Sequence, residues 1–107
     1  MKIAAFVSSS SHHGNTATAV QKFLEGARAA GAETEIYYLH DYDMKPCRGC
    51  RACEKTGTCV IKGDDIPLLH EAIRSADAYV LATPTFYGDI TGAFKVFVDR
   101  CYPFVDI

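Results

Sequence analysis

Two short apolar runs, set apart by helical periodicity, restrict the fold more than any other feature of the chain. Lys2 to Val7 (KIAAFV) and Ala78 to Ala82 (AYVLA) are β-favouring and show no alternation with polar residues. Runs of this length without alternation read as strands buried on both faces, as in the middle of a parallel sheet. Between them, Ala17, Val20, Phe23, Leu24 and Ala27 recur at helical spacing, and Gly31 stands where a helix ends. A helix is therefore predicted over about Asn15 to Ala30. Glu33 to Leu39 (ETEIYYL) alternates in part and suits a sheet edge. Asp64 and Asp65 as N-caps, Pro67 in the first turn, and Leu68, Leu69, Ala72 and Ile73 as a buried stripe predict a second helix. Ala93, Phe94, Phe97 and Val98 begin a third. Strands alternating with helices give a doubly wound α/β fold, a parallel sheet with helices on both faces.

A chain of 107 residues is enough for one domain, spanning 1–107, with a cysteine-rich insert at 45–63. The formal net charge is -2, and no basic excess points to nucleic acid or to a membrane surface. No apolar run approaches a transmembrane length, and the run near the N-terminus is too short for a signal-peptide core. These features place the protein in the cytoplasm. A reducing compartment disfavours structural disulfides, so clustered thiols there are read as metal ligands or redox groups.

In open α/β sheets ligands bind beyond the carboxyl ends of the strands, where strand order reverses. Two loops lie at such ends, Ser8–Asn15 and Thr83–Thr91. The first, SSSSHHGN, has neither the Lys of a P-loop nor GxGxxG, which excludes the usual triphosphate and dinucleotide fingerprints. It offers hydroxyls, an amide, a glycine and a helix N-terminus, which suit a phosphate monoester. They also suit simple capping. The second, TPTFYGD, sets Phe86 and Tyr87 beside Pro84 and Gly88. Aromatics there can pack on a flat ring, or merely cover the core. A phosphate site after the first strand and a ring site after the third describe a flavin mononucleotide in a flavodoxin-like sheet.

Four of the five cysteines lie in Cys47–Cys59 (CRGCRACEKTGTC), spaced C-x2-C-x2-C-x5-C. Ferredoxin-type runs begin in the same way. Structural zinc sites usually come as two pairs with a longer spacer. The compact spacing favours a [4Fe–4S] cluster on Cys47, Cys50, Cys53 and Cys59 over zinc, with free thiols as the other reading. Arg48, Arg51 and Lys55 would offset the negative charge. Cys101, at an apolar-flanked position on the last helix, reads as a buried small residue.

Three segments in order carry a resemblance. SSSSHHGNT is similar to GSPRxNGNT, TPTFYGDITG to SPVYFGSxSG, and KPCRGCRACEKTGTCVIKGDD to KPCxGCxxCxxxGxCxxxDD. The chain thus resembles the flavodoxin-like NAD(P)H-dependent FMN oxidoreductases, and among them the iron–sulfur flavoproteins, over essentially its whole length. The resemblance implies phosphate contacts from Ser9, Ser11, Gly14, Asn15 and Thr16. It implies an isoalloxazine site lined by Pro84, Thr85, Phe86, Tyr87 and Gly88. Two departures are Ser11, where the family often has Arg, and Ser8, where it has Gly. A lost Arg removes a charge-assisted phosphate bond, which His12 or His13 would have to replace.

The expected function is FMN-dependent electron transfer between NAD(P)H or reduced ferredoxin and an acceptor, running through a [4Fe–4S] cluster. The alternatives are a plain NAD(P)H:FMN or quinone-type oxidoreductase, a non-enzymatic electron carrier, and a non-redox zinc module. No side chain reads as a catalytic acid or base. The resemblance also implies a homodimer or homotetramer. A complete sheet of this type has five strands in the order 2-1-3-4-5. The chain supplies three and the following helix, so the expected fold is truncated there, with its third strand an exposed edge.

Overall fold

The computed structural model describes residues 1–104. Three strands, β1 (Lys2–Val7), β2 (Glu33–Tyr38) and β3 (Ala78–Ala82), form one parallel sheet in the order β2-β1-β3. Four helices accompany them: α1 (Asn15–Ala29), the single turn α2 (Cys53–Thr56), α3 (Ile66–Ser75) and α4 (Gly92–Asp99). Short 3-10 turns cover Leu39–Asp41 and Tyr102–Phe104. The flavodoxin-like doubly wound arrangement expected from the sequence is present.

β1 is buried on both faces because its two sets of side chains serve two cores. Ala4 and Phe6 pack with Leu39, Ile66, Leu69 and Phe97 on one face. Ile3, Ala5 and Val7 pack with Val20 and Leu24 of α1 on the other. Phe6 is stacked between the rings of Tyr37 and Phe97, at centroid distances of 5.3 and 4.9 Å. Helix α1 ends as its sequence foretells. Gly31 has φ +96, its amide donates to Arg28 O, and the Ala32 amide donates to Ala27 O. Those are the paired bonds of a Schellman stop, which needs a left-handed residue at that point.

Four expectations need correction. β3 is not buried on both faces. Ala78, Val80 and Ala82 pack toward α1, whereas Tyr79 and Leu81 are 49% and 57% exposed. They face an apolar groove of about 240 Å³ shared with Phe6, Ile73, Phe97, Val98, Cys101 and Phe104. Helices α3 and α4 cover that face over β1 but not over β3. Phe23, Leu68 and Val98 also lie outside the buried stripes. In α3 the stripe is Ile66, Leu69 and Ala72, which puts Leu68 on the neighbouring face. Asp65 occupies the N-cap position of α3 without capping it. Its Oδ2 instead accepts the Asp43 amide at 2.7 Å, and Asp64 Oδ1 accepts the Ile66 amide at 3.2 Å. Cys101 follows α4 and packs partly buried against the core, with its thiol pushed up to about 11 by burial.

His70 sits on the buried face of α3, its Nε2 2.7 Å from the Arg100 carbonyl and its ring edge-on to Phe104. Burial is the main cause that lowers its pKa below 6.5, aided by the charges of Arg74 and Arg100 and opposed by the Arg100 carbonyl and Asp64. The unfolded chain therefore takes up a proton at His70 before the folded chain does. Stability from this residue is complete above the ordinary value and is lost as pH falls below it. Urea midpoints at about pH 7.5 and about pH 5.5 should show the wild type weaker at the lower pH, with that drop reduced in His70→Gln. An unchanged drop in the variant would assign it to other groups.

Candidate cofactor crevice and four-cysteine cavity

Parallel pairing places Val7 opposite Ala82, and the Ser8 amide donates to Ala82 O at 2.9 Å. The loops after β1 and β3 therefore leave the sheet side by side, between strands whose connections run to opposite sides. That is the switch point where doubly wound sheets hold ligands.

The first loop folds on its own hydroxyls. The Ser11 amide donates to Ser9 Oγ at 3.2 Å, Ser9 Oγ donates to Ser11 O at 3.0 Å, and the His13 amide donates to Ser11 Oγ at 3.2 Å. Ser8 Oγ is buried with no partner among the described residues. Gly14 is the N-cap of α1 and, lacking a side chain, leaves the first-turn amides uncapped. A Cβ added at Gly14 would stand 3.6 Å from Ser11 Cβ and 3.8 Å from Ser9 Oγ. Hydroxyls, open amides and the positive end of a helix thus lie together, a set suited to an anion. Asn15 is exposed and Thr16 partly exposed. His12 is held to the other side of the loop. Its Nε2 lies 2.8 Å from Asp41 Oδ2 and its ring stacks on Tyr38 at 3.9 Å. Among the described residues nothing pairs with the exposed His13 side chain.

The second loop is a tight turn. The Phe86 amide donates to Asp89 O at 2.8 Å and the Asp89 amide returns to Phe86 O at 3.1 Å. Tyr87 and Gly88 fill the corner with φ values of 50 and 80. A left-handed tyrosine is uncommon and costs about 1 kcal/mol or more. The turn holds its ring in full exposure, next to the half-exposed Phe86. Pro84 is partly buried and Thr85 is exposed. Thr83 Oγ1 accepts the Thr91 amide at 3.2 Å, and Thr91 Oγ1 caps α4 by accepting the Phe94 amide at 3.1 Å. The aromatic turn is thereby fixed to the start of α4.

The cysteine segment is irregular apart from the single turn α2. Cys47, Cys50, Cys53 and Cys59 nevertheless line one cavity of about 20 Å³, closed on its other side by Ile61, Asp99, Arg100 and Tyr102. Left-handed Gly49 and Arg51, with φ values of 70 and 62, turn the chain between the first three. The Gly49 amide donates to Cys47 Sγ at 3.4 Å. Burial pushes the Cys53 thiol up, with small additions from the other three sulfurs. No group of three His, Cys, Asp or Glu side chains among the described residues is arranged to hold a single metal ion. All four thiols do share a cavity with a buried cation, a donor set suited to a cluster with one thiolate per iron. Enclosing such a cluster would require the segment to move outward, where Cys50 is already exposed.

Arg100 was not singled out in the sequence, yet its side chain is fully buried. Nη1 donates to Lys45 O at 2.6 Å and to Asp64 Oδ2 at 2.7 Å. The Lys45 amide also donates to Asp64 Oδ2 at 2.9 Å. Burial alone would raise Asp64, but these partners hold its carboxyl below the usual range. Burial lowers the guanidinium, while Asp64 and nearby Cys59 raise it above its ordinary value. The legible signal was positional. Phe94, Phe97 and Arg100 are three residues apart on one helical face, so the arginine continues a buried stripe. The cysteine cavity shares no lining residue with either crevice loop. It lies at the far end of α4, whose eight residues span about 12 Å.

Comparison with known proteins agrees with this architecture. Residues 1–105 match the family described as NADPH-dependent FMN reductase. An iron–sulfur flavoprotein of Archaeoglobus fulgidus is 41% identical over 100 residues, covering 94% of this chain and 48% of its own length. Another from Methanocaldococcus jannaschii is 32% identical over 103 residues, covering 96% of this chain and 53% of its own. The chain thus spans about half the length of these relatives. Among solved structures, a flavone reductase superposes with TM-score 0.72 at 26% identity, covering 94% of this chain and 29% of that one. An NAD(P)H:quinone oxidoreductase from Methanothermobacter marburgensis superposes with TM-score 0.74 at 21% identity, covering 95% and 53%, a likeness of fold.

Gly14→Val tests the serine loop as an anion site without disturbing the core. The backbone there, at φ -79, accepts a side chain, and the added Cβ meets only ordinary contacts. Stability should change by no more than about 1 kcal/mol, while binding of flavin mononucleotide falls at least about tenfold. Unchanged binding by calorimetry would place the phosphate elsewhere.

Proposed function

The chain belongs to the NADPH-dependent FMN reductase family, in its iron–sulfur flavoprotein branch, and on that premise we propose that it is part of an FMN-dependent oxidoreductase. It passes electrons from NAD(P)H, or from reduced ferredoxin, to an acceptor. One observation carries the reading. An uncapped helix N-terminus ringed by serines stands beside a strained, exposed aromatic turn, held together by the Val7–Ala82 pairing.

Ser9, Ser11, Gly14, Asn15 and Thr16 hold the phosphate. The amides of α1 supply donors, and Ser9 Oγ turns from Ser11 O toward the ligand. Without an arginine at Ser11, the charge is met by the helix dipole and hydroxyls. Pro84, Thr85, Phe86, Tyr87 and Gly88 line the ring. The two amides at the tip of the turn, Tyr87 and Gly88, are not used by the turn's own bonds and can meet the ring's polar edge. Bound flavin supplies the redox chemistry, while the protein supplies position, electrostatics and exclusion of water.

Cys47, Cys50, Cys53 and Cys59 hold a [4Fe–4S] cluster, which exchanges single electrons when bound. Support comes from the shared cavity, its buried cation and the names of the relatives. All five cysteines are free, as suits a cytoplasmic protein. The assembled protein is a homodimer or homotetramer, in keeping with the open apolar groove along β3.

Anaerobic purification with flavin, iron and sulfide measured per chain tests the reading. One FMN and about four irons are expected, with NAD(P)H oxidised when an acceptor is supplied. Flavin without iron would leave a plain oxidoreductase. Flavin and iron without NAD(P)H oxidation would leave an electron carrier. A protein that binds neither flavin nor iron would overturn the assignment.

A further inference from the structure

Arg100 has a second side that its structural bonds do not use. Nη1 holds Lys45 O and Asp64, whereas Nε and Nη2 are buried with no partner among the described residues. A buried donor left bare is destabilising, and more so when it is charged. Such a group calls for a partner the protein alone does not provide. Arg100 lines the cavity that holds all four clustered cysteines. Arg48 and Arg51 line the same cavity, but both are exposed, and only Arg100 among its cations is buried. Arg51 is engaged with Glu54 at 2.9 Å, Arg48 is exposed, and Lys45 Nζ donates to Lys62 O at 3.0 Å.

We propose that Arg100 is the buried counter-charge of the four-cysteine cavity, donating from Nε and Nη2 to sulfur and setting the potential of a cluster bound there. The proposal rests on the cluster reading above. Reduction adds one electron and no proton to the cluster and its thiolates, so the negative charge grows by one. A fixed guanidinium stabilises that product more than the oxidised form, because both sit where water screens little. Arg100 therefore raises the reduction potential. Its anchorage to Asp64 keeps the charge in place in both states.

The test is a redox titration of anaerobically purified wild type, Arg100→Lys and Arg100→Gln with dithionite as one-electron reductant. The cluster is followed by its visible absorption and iron is counted per chain. Arg100→Gln should lower the cluster potential by about 59 mV, tenfold in a one-electron equilibrium. Arg100→Lys, which keeps the charge, should recover most of the shift. A purely structural Arg100 would change iron retention or stability while leaving the potential of retained clusters at the wild-type value, and that result overturns the proposal. If Arg100→Gln does not fold with Asp64 unpaired, the double variant Arg100→Gln/Asp64→Asn replaces it, with a smaller shift in the same direction, because Arg100 lines the cavity and Asp64 does not. Wild type without iron would defeat the cluster reading and this inference with it. Wild type with iron and a potential indifferent to residue 100 would defeat the inference alone.

Discussion

The chain is organised around a strand that is buried from its second residue to its last. β1 alternates its side chains between two cores, pairs with β2 on one edge and β3 on the other, and leaves only its ends free. Helices are therefore required on both faces, and the connections to β2 and β3 must run to opposite sides. The crevice at the carboxyl end of β1 follows from that geometry. A backbone bond from Ser8 to Ala82 then brings a serine-rich loop and an aromatic turn together from positions more than seventy residues apart. The strain at Tyr87 is tolerable because the turn is tied at both ends, to β3 before it and to the capped start of α4 after it.

The cysteine segment obeys a different logic. It has almost no regular structure and contributes Cys53 and Ile61 to the interior. What positions it is polar. Asp65 and Asp43 exchange bonds at the entrance, Asp64 receives the Lys45 amide, and Arg100 reaches from α4 to both Lys45 and Asp64. A buried ion pair of this kind adds little net stability over an apolar pair of the same volume, although breaking it costs about 3–5 kcal/mol. Its value here lies in placement. It joins the segment to the end of the same helix whose beginning carries the aromatic turn, so the cysteine cavity and that turn share one connector.

Strand and helix identities were legible because apolar runs and helical periods are local signals. Strand order and the positions of the crevice loops followed from the rules of parallel sheets. What the sequence could not convey was which face of an element has a partner. Tyr79 and Leu81 sit in an apolar run yet stay half exposed, since α3 and α4 reach over β1 only. Leu68 and Phe23 are apolar residues one step off their stripes. Arg100 was missed for the opposite reason. A charged residue on a buried stripe looks like a stripe's end until its carboxylate and carbonyl partners, at positions 64 and 45, are seen to meet it. His12 looked available to a phosphate until Asp41 and Tyr38 proved to hold it.

The claim on which the account stands is that the loop carrying Ser9, Ser11 and Gly14 recognises a phosphate attached to a flavin. Fluorescence titration of the flavin-free protein with FMN and with riboflavin tests it directly, because the two ligands share the ring and differ only in the phosphate. The account predicts FMN bound at least about 100-fold more tightly, the worth of one or two charge-assisted bonds. Equal affinities would mean that the ring alone drives binding, and that the serine loop only caps a helix.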